Sequence, residues 1–182
     1  MWGSGRLTGS ASDTEEAQSL RGVTCAYIAD IMTIKSRPYA ASDFSSCLSI
    51  FDSNVPAYFA PAEREQFVQF LQTRDPLRYL YFVSIANGAV VACHGLELDA
   101  KNRKGSFVWG MVDRARHGRG IGTSMTLERI KIAKATPDID EVVLSTSQHT
   151  HRFYARHGFV VTKITPGGFG AGLDCYDMRL AI

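Results

Sequence analysis

The chain has 182 residues, 45% of them hydrophobic, and its 20 basic and 18 acidic side chains leave a net charge of +2. That length and apolar content suit one globular domain, and the near-neutral balance argues against a nucleic-acid groove or an anionic-membrane ligand. No apolar run approaches the roughly 18 residues of a membrane span, and the first twenty residues lack the apolar stretch of a secretory signal, so a cytoplasmic protein is expected.

Residues 1–22 are rich in Gly, Ser and Thr and lack a sustained apolar period, which predicts a flexible tail ahead of a single domain at 23–182. The four cysteines, Cys25, Cys47, Cys93 and Cys175, are too widely spaced for a zinc knuckle, and most of them are expected as buried thiols. Ile31 to Ile34 reads as a first strand, ended by Pro38, and Ser42-Asp43 offers a cap for a helix with Phe44, Cys47, Leu48 and Phe51 on one face. After Ser53-Asn54-Val55-Pro56, Pro61 suits the first turn of a second helix, whose apolar stripe is Phe67, Phe70 and Leu71.

The period then changes. Tyr79–Ile85 and Ala89–Leu98 are strand runs joined by Asn87-Gly88, a strong hairpin signal, and a third run covers Ser106–Val112. A glycine-rich stretch leads into a helix from about Ile121 to Lys134 with two apolar stripes, Ile121/Met125/Ile132 and Leu127/Ile130, which predicts cover on more than one side. Glu141–Thr146 is a short apolar strand, Arg152–Arg156 a compact helix closed by Gly158, and Phe159–Ile164 and Leu173–Leu180 two last strands around a flexible loop, Pro166–Gly172. The order β-α-α-β-β-β-α-β-α-β-β is a mixed α/β domain with a mostly antiparallel sheet.

Between a strand and a helix stands His117-Gly118-Arg119-Gly120-Ile121-Gly122-Thr123. Glycines let backbone approach a ligand, and the unpaired N–H groups of a helix start suit a phosphate. A tight structural turn would use the same residues. A Walker loop would need a lysine that Gly122-Thr123-Ser124 lacks, and a dinucleotide fingerprint would need glycine where Thr123 stands. Further on lies Phe153-Tyr154-Ala155-Arg156-His157-Gly158-Phe159.

Taken together, the two segments resemble the GNAT superfamily of N-acetyltransferases, whose signature is Arg/Gln-x-x-Gly-x-Gly/Ala at a central helix start, followed later by a Tyr-x-x-x-Gly-Phe turn. Gly120 and Gly122 match the signature glycines, and His117 departs from it at the Arg/Gln place. The resemblance implies acetyl-CoA as donor and a primary amine, on a small molecule or peptide, as acceptor. Backbone amides from Gly118 through Thr123 would hold the pyrophosphate, with Met111 and Val112 beside the pantetheine arm and Ser147 where many members have a cofactor-contacting asparagine. It implies direct attack of the amine on the thioester, a backbone N–H near Met111 or Val112 for the oxyanion, and Tyr154 as acid for the sulfur. A possible homodimer accompanies such folds.

For the base, Glu97 on the third of these strands and His149 after the apolar strand are the candidates, with a lean to Glu97 as a fixed carboxylate. His149, His151 and His157 lack an acidic partner nearby, so no metal is expected. His94 is expected as a hydrogen-bonded core residue. The competing class is a GNAT-fold domain that binds CoA as a sensor or scaffold without turnover.

Overall fold

The computed structural model describes residues 34–182. The predicted tail, Cys25 and most of the predicted first strand lie outside the described residues. The strand that does form, β1 (Lys35–Pro38), is later and more polar than the Ile31–Ile34 expected, which suits its place at the edge of the sheet, where among the described residues it pairs with β2 alone. Arg37 on β1 clamps the start of the first helix, its two terminal nitrogens 2.6 and 2.8 Å from the carboxylate oxygens of buried Asp43. Two helices follow, α1 (Phe44–Asn54) and α2 (Glu63–Thr73), as the apolar stripes predict.

β2 (Tyr79–Ala86) and β3 (Ala89–Asp99) form the hairpin signalled by Asn87-Gly88, both residues at positive φ. β4 (Lys104–Val112) completes an antiparallel meander, after which the chain crosses through α3 (Ile121–Ala135) to β5 (Glu141–Thr146), parallel to β4. α4 (His151–Ala155) is short and Gly158 leaves it at φ +90°, the conformation its C-cap role requires. β6 (Val160–Gly170) and β7 (Leu173–Ala181) close a seven-stranded sheet of order β1-β2-β3-β4-β5-β7-β6.

Three expectations are corrected here. The segment Pro166–Gly172 is mostly strand: β6 runs through it with a register irregularity between Thr165 and Gly170, and Pro166 is accommodated because β6 is an edge. Leu127 on α3 is 54% exposed, so the helix is covered along only one broad face. His94 is fully buried, yet neither ring nitrogen has a hydrogen-bond partner; Nε2 lies 3.4 Å from a carboxylate oxygen of Glu128 without hydrogen-bond alignment. Burial, helped by the positive charge of Arg129, lowers the His94 pKa to about 2, so the ring is neutral.

The core divides across the sheet. On one face α1 and α2 bury Phe51, Phe67 and Leu71 against Tyr81, Cys93 and Met111. On the other, α3 buries Ile130 and Ala133 against Leu96, Val142 and Leu144, with Phe159 beside them. Two irregularities between these layers make the site.

Candidate active site

The first irregularity is a splay. β4 and β5 pair only through Lys104–Ser106 and Glu141–Val143, so the remainder of β4, from Phe107 to Val112, parts from β5. The second is a bulge. Between the pairs Cys93–Met111 and Gly95–Val108, β4 carries one residue more than β3, and Trp109 adopts φ +43°. The bulge reverses the alternation of β4. Phe107 packs toward α3, whereas Trp109 and Met111 both pack toward α1 and α2. Trp109 is held there by the Tyr81 hydroxyl, which donates to its carbonyl at 3.0 Å, and by ring contacts with Phe59 and Phe67.

A cavity of about 780 Å³ occupies the splay. At one end lies the glycine-rich turn. Gly118 and Gly120 stand at φ +77° and +80°, which aims successive amides the same way, and Gly120 is the N-cap of α3. The first α-helical bond of α3 is donated by Ser124 N–H to the Gly120 carbonyl, so the amides of Ile121, Gly122 and Thr123 find no acceptor inside the helix. With the helix dipole behind them they form an anion-binding mouth. His117 Nε2 is 3.0 Å from the Val112 carbonyl and must carry the proton to bond it. The buried Asn54 amide donates to the same carbonyl at 2.8 Å, so the end of β4 and the start of the turn are fixed together.

Of the residues singled out in the sequence, Met111, Val112, His117, Gly118, Gly120, Ile121, Gly122, Thr123, Ser147, His149 and Tyr154 all line this cavity. Arg119 is exposed and outside the lining, where Arg116 appears instead. Ser147 is buried and its carbonyl accepts from Thr150 and His151, so it also starts α4. Tyr154 is wedged edge-on among Phe107, Phe153 and Phe159. Glu97 is not brought to the cleft. It pairs with Tyr79 and Ser106 in the ladders, its carboxylate accepts from Arg78 Nε at 2.7 Å, and it lies outside the lining.

Two charged residues that sequence reasoning passed over line the cavity instead. Glu63, at the start of α2, accepts the Ala60 amide at 2.7 Å, and burial raises its carboxyl above the ordinary range against the opposing pull of that hydrogen bond. Its signal was an acidic residue two positions after Pro61, at a helix start, which also reads as a plain cap. Arg129 is 1% exposed in the middle of α3. Among the described residues no group of three or more His, Cys, Asp or Glu side chains could hold a metal ion, and no helix is long and apolar enough to cross a membrane.

The family model described as the Acetyltransferase (GNAT) family matches residues 47–159, more than half of the chain and the whole stretch that builds this cavity's donor end. The chain belongs to the GNAT acetyltransferase family. Acetyl transfer from acetyl-CoA is the reaction class of this family, and the chain is an acetyl-CoA-dependent N-acetyltransferase. No match was found among curated proteins. Among solved structures, a GCN5-related N-acetyltransferase from Kribbella flavida superposes with a TM-score of 0.68 at 18% identity, covering 83% of this chain and 99% of that one. The ribosomal-protein-S18-alanine N-acetyltransferase of Escherichia coli gives 0.67 at 16%, covering 82% and 94%. The yncA protein of Salmonella typhimurium, solved with acetyl-CoA, gives 0.65 at 20%, covering 81% and 93%. At such identities the likeness establishes the fold.

The GNAT residues of this chain fit the donor. Three outward amides at a helix N-terminus suit a pyrophosphate, and the unpaired inner edge of β4 offers backbone groups to an extended amide-bearing arm.

Proposed function

We propose that this GNAT enzyme acetylates a primary amine by direct attack, with Tyr154 as the acid and Glu63 as the base. The observation that supports it is continuity. One cavity joins the amides of the α3 N-terminus, the Trp109 bulge, Tyr154 and the Glu63 carboxyl. The donor supplies an electrophilic thioester carbonyl; the rest of the work falls to side chains and backbone.

The acceptor end is aromatic: Tyr58, Phe59, Trp109 and Phe169 line the same cavity as Glu63, and Phe59 stacks on Trp109. Aromatic faces and a carboxylate both attract an ammonium, which suits an acceptor that arrives protonated. Glu63 takes the proton that makes the amine nucleophilic, and its raised pKa makes it a better acceptor of that proton than an exposed carboxylate. His149, edge-on to Tyr58 at a ring separation of 6.1 Å, stands where it can pass the proton toward solvent. Backbone N–H groups at the bulge receive the charge that builds on the carbonyl oxygen. Tyr154 gives its phenolic proton to the departing sulfur and regains one from solvent.

The test is thiol release from acetyl-CoA in the presence of a panel of amines. Release that depends on the amine, with acetylated amine as product, supports the proposal; CoA binding without transfer to any primary amine would overturn the assignment of the acceptor and of direct attack.

A further inference from the structure

Arg129 has no ordinary reason to be where it is. Its guanidinium is fully buried, rests 3.8 Å over the ring of Phe107, and uses Nε to bond the Met125 carbonyl at 3.1 Å. The Tyr154 phenol is its polar neighbour, but Nη1 has no partner, and no carboxylate among the described residues lies within ion-pair distance; Glu128, the nearest in sequence, reaches toward His94. One turn earlier on the same helix face, Thr126 is equally buried and its hydroxyl also lacks a partner. Both residues line the cavity, beneath the bulged part of β4, where Gly110 leaves room for the guanidinium: a Cβ there would stand 2.9 Å from Nη1.

A buried cation without an anion is costly, and so is a buried hydroxyl without a partner. Two such groups side by side at the floor of a ligand cavity form a complementary pair for one chemical group, a carboxylate, which takes a charge-assisted bond from the guanidinium and a second from the hydroxyl. Phe107, under the guanidinium, and Leu144 add apolar surface to the cavity lining, which suits an alkyl chain leading inward.

We infer that Arg129 and Thr126 form a subsite for a carboxylate carried into the cleft by one of the reactants. Either reactant could bring it: a donor whose acyl chain ends in a carboxylate, or an acceptor that is an amino acid. This inference rests on the reading of the cavity as the acyl-CoA cleft.

The experiment has two arms. Calorimetry compares acetyl-CoA with succinyl-CoA, and single-turnover transfer from acetyl-CoA compares β-alanine with propylamine, which carries a methyl group in place of the carboxylate. In the unmodified protein one arm shows a preference of at least about tenfold for the carboxylate-bearing compound, the size expected of one charge-assisted bond; which arm shows it names the reactant. In Arg129→Met the preference falls to within about twofold, while Thr126→Val loses part of it. Ligand-free Arg129→Met should melt no lower than the parent, because an unpaired buried charge has been replaced by an unbranched apolar side chain. The inference is overturned if neither arm discriminates in the unmodified protein, a comparison that needs no variant, or if the preference survives Arg129→Met. If no CoA compound binds at all, the reading of the cleft fails first, which the calorimetric arm distinguishes by the loss of acetyl-CoA binding itself.

Discussion

Replacing Gly120 with valine separates backbone strain from ligand contact, because the fold supplies a matched control. Gly120 stands at φ +80° at the head of α3, and Gly88, in the β2–β3 turn far along the chain, stands at φ +78° with nothing within 4 Å of where a Cβ would project. Valine in that left-handed region costs about 1–2 kcal/mol at either site. For a domain of this size that lowers the melting temperature by roughly 2–8 °C. Only at Gly120 would the added methyl groups also intrude on a pyrophosphate held, as we propose, by the amides of Ile121, Gly122 and Thr123. Losing one charge-assisted hydrogen bond there costs about 1.5–3 kcal/mol, or a CoA affinity roughly 10- to 150-fold weaker. Calorimetry with CoA on Gly120→Val and Gly88→Val, alongside thermal melts, reads both quantities. Comparable melting shifts with weakened binding in Gly120→Val alone are expected. Equal CoA affinity in the two folded variants would refute the placement of the pyrophosphate.

Two further outcomes follow from the cleft. Because burial raises the Glu63 carboxyl, the single-turnover rate should climb with pH through an apparent pKa above the ordinary carboxylate value of 4.5, as the proton leaves and the group becomes able to act as base. Glu63→Gln should abolish that limb and slow transfer by about 10²-fold or more, whereas Glu97→Gln should keep both rate and profile; a parent-like profile in Glu63→Gln would remove Glu63 from the role. Gly110→Ala would set a methyl group 2.9 Å from Arg129 Nη1, the movable end of a long side chain that borders the cavity, so its cost should stay within about 1 kcal/mol and should vanish in the double variant Gly110→Ala/Arg129→Met. Additive losses in a thermal-melt cycle would show that the two positions do not share space.

The parts of the site that were legible in the sequence are those written in contiguous residues. His117 to Thr123 sets closely spaced glycines before an apolar helix, a pattern a tight turn would share, and it gains its meaning from Tyr154 in a spaced turn with Gly158 and Phe159. The Asn87-Gly88 hairpin was legible for the same reason: both residues take the positive φ that the turn needs. Glu63 was not, because only the packing of α2 across the sheet brings a helix-start carboxylate to the cavity that Trp109 lines. The bulge was not either, since nothing marks Trp109 as a residue that will turn left-handed; the strain is sustained by contacts with Tyr81, Phe59 and Phe67. Arg129 fell in the buried row four residues after Met125, but a long charged side chain in such a row ordinarily snorkels to solvent, and the sequence holds no sign that this one stays inside. Glu97 misled because a carboxylate fixed on a strand serves as a base only where the strand carries it to the cleft. Arg78 takes that carboxylate.

The most direct test of the account is the rate of acetyl transfer in a single turnover, measured for the parent chain and for Tyr154→Phe with a primary amine at saturating acetyl-CoA. Loss of the phenolic proton should slow the chemical step by about 10²-fold or more while CoA affinity stays within experimental error, because the ring that packs against Phe107, Phe153 and Phe159 is retained; the melting temperature should fall modestly, since buried Arg129 loses the hydroxyl beside it. A Tyr154→Phe protein that transfers acetyl groups at the parent's single-turnover rate would contradict the assignment of the cleft's acid and, with it, the mechanism.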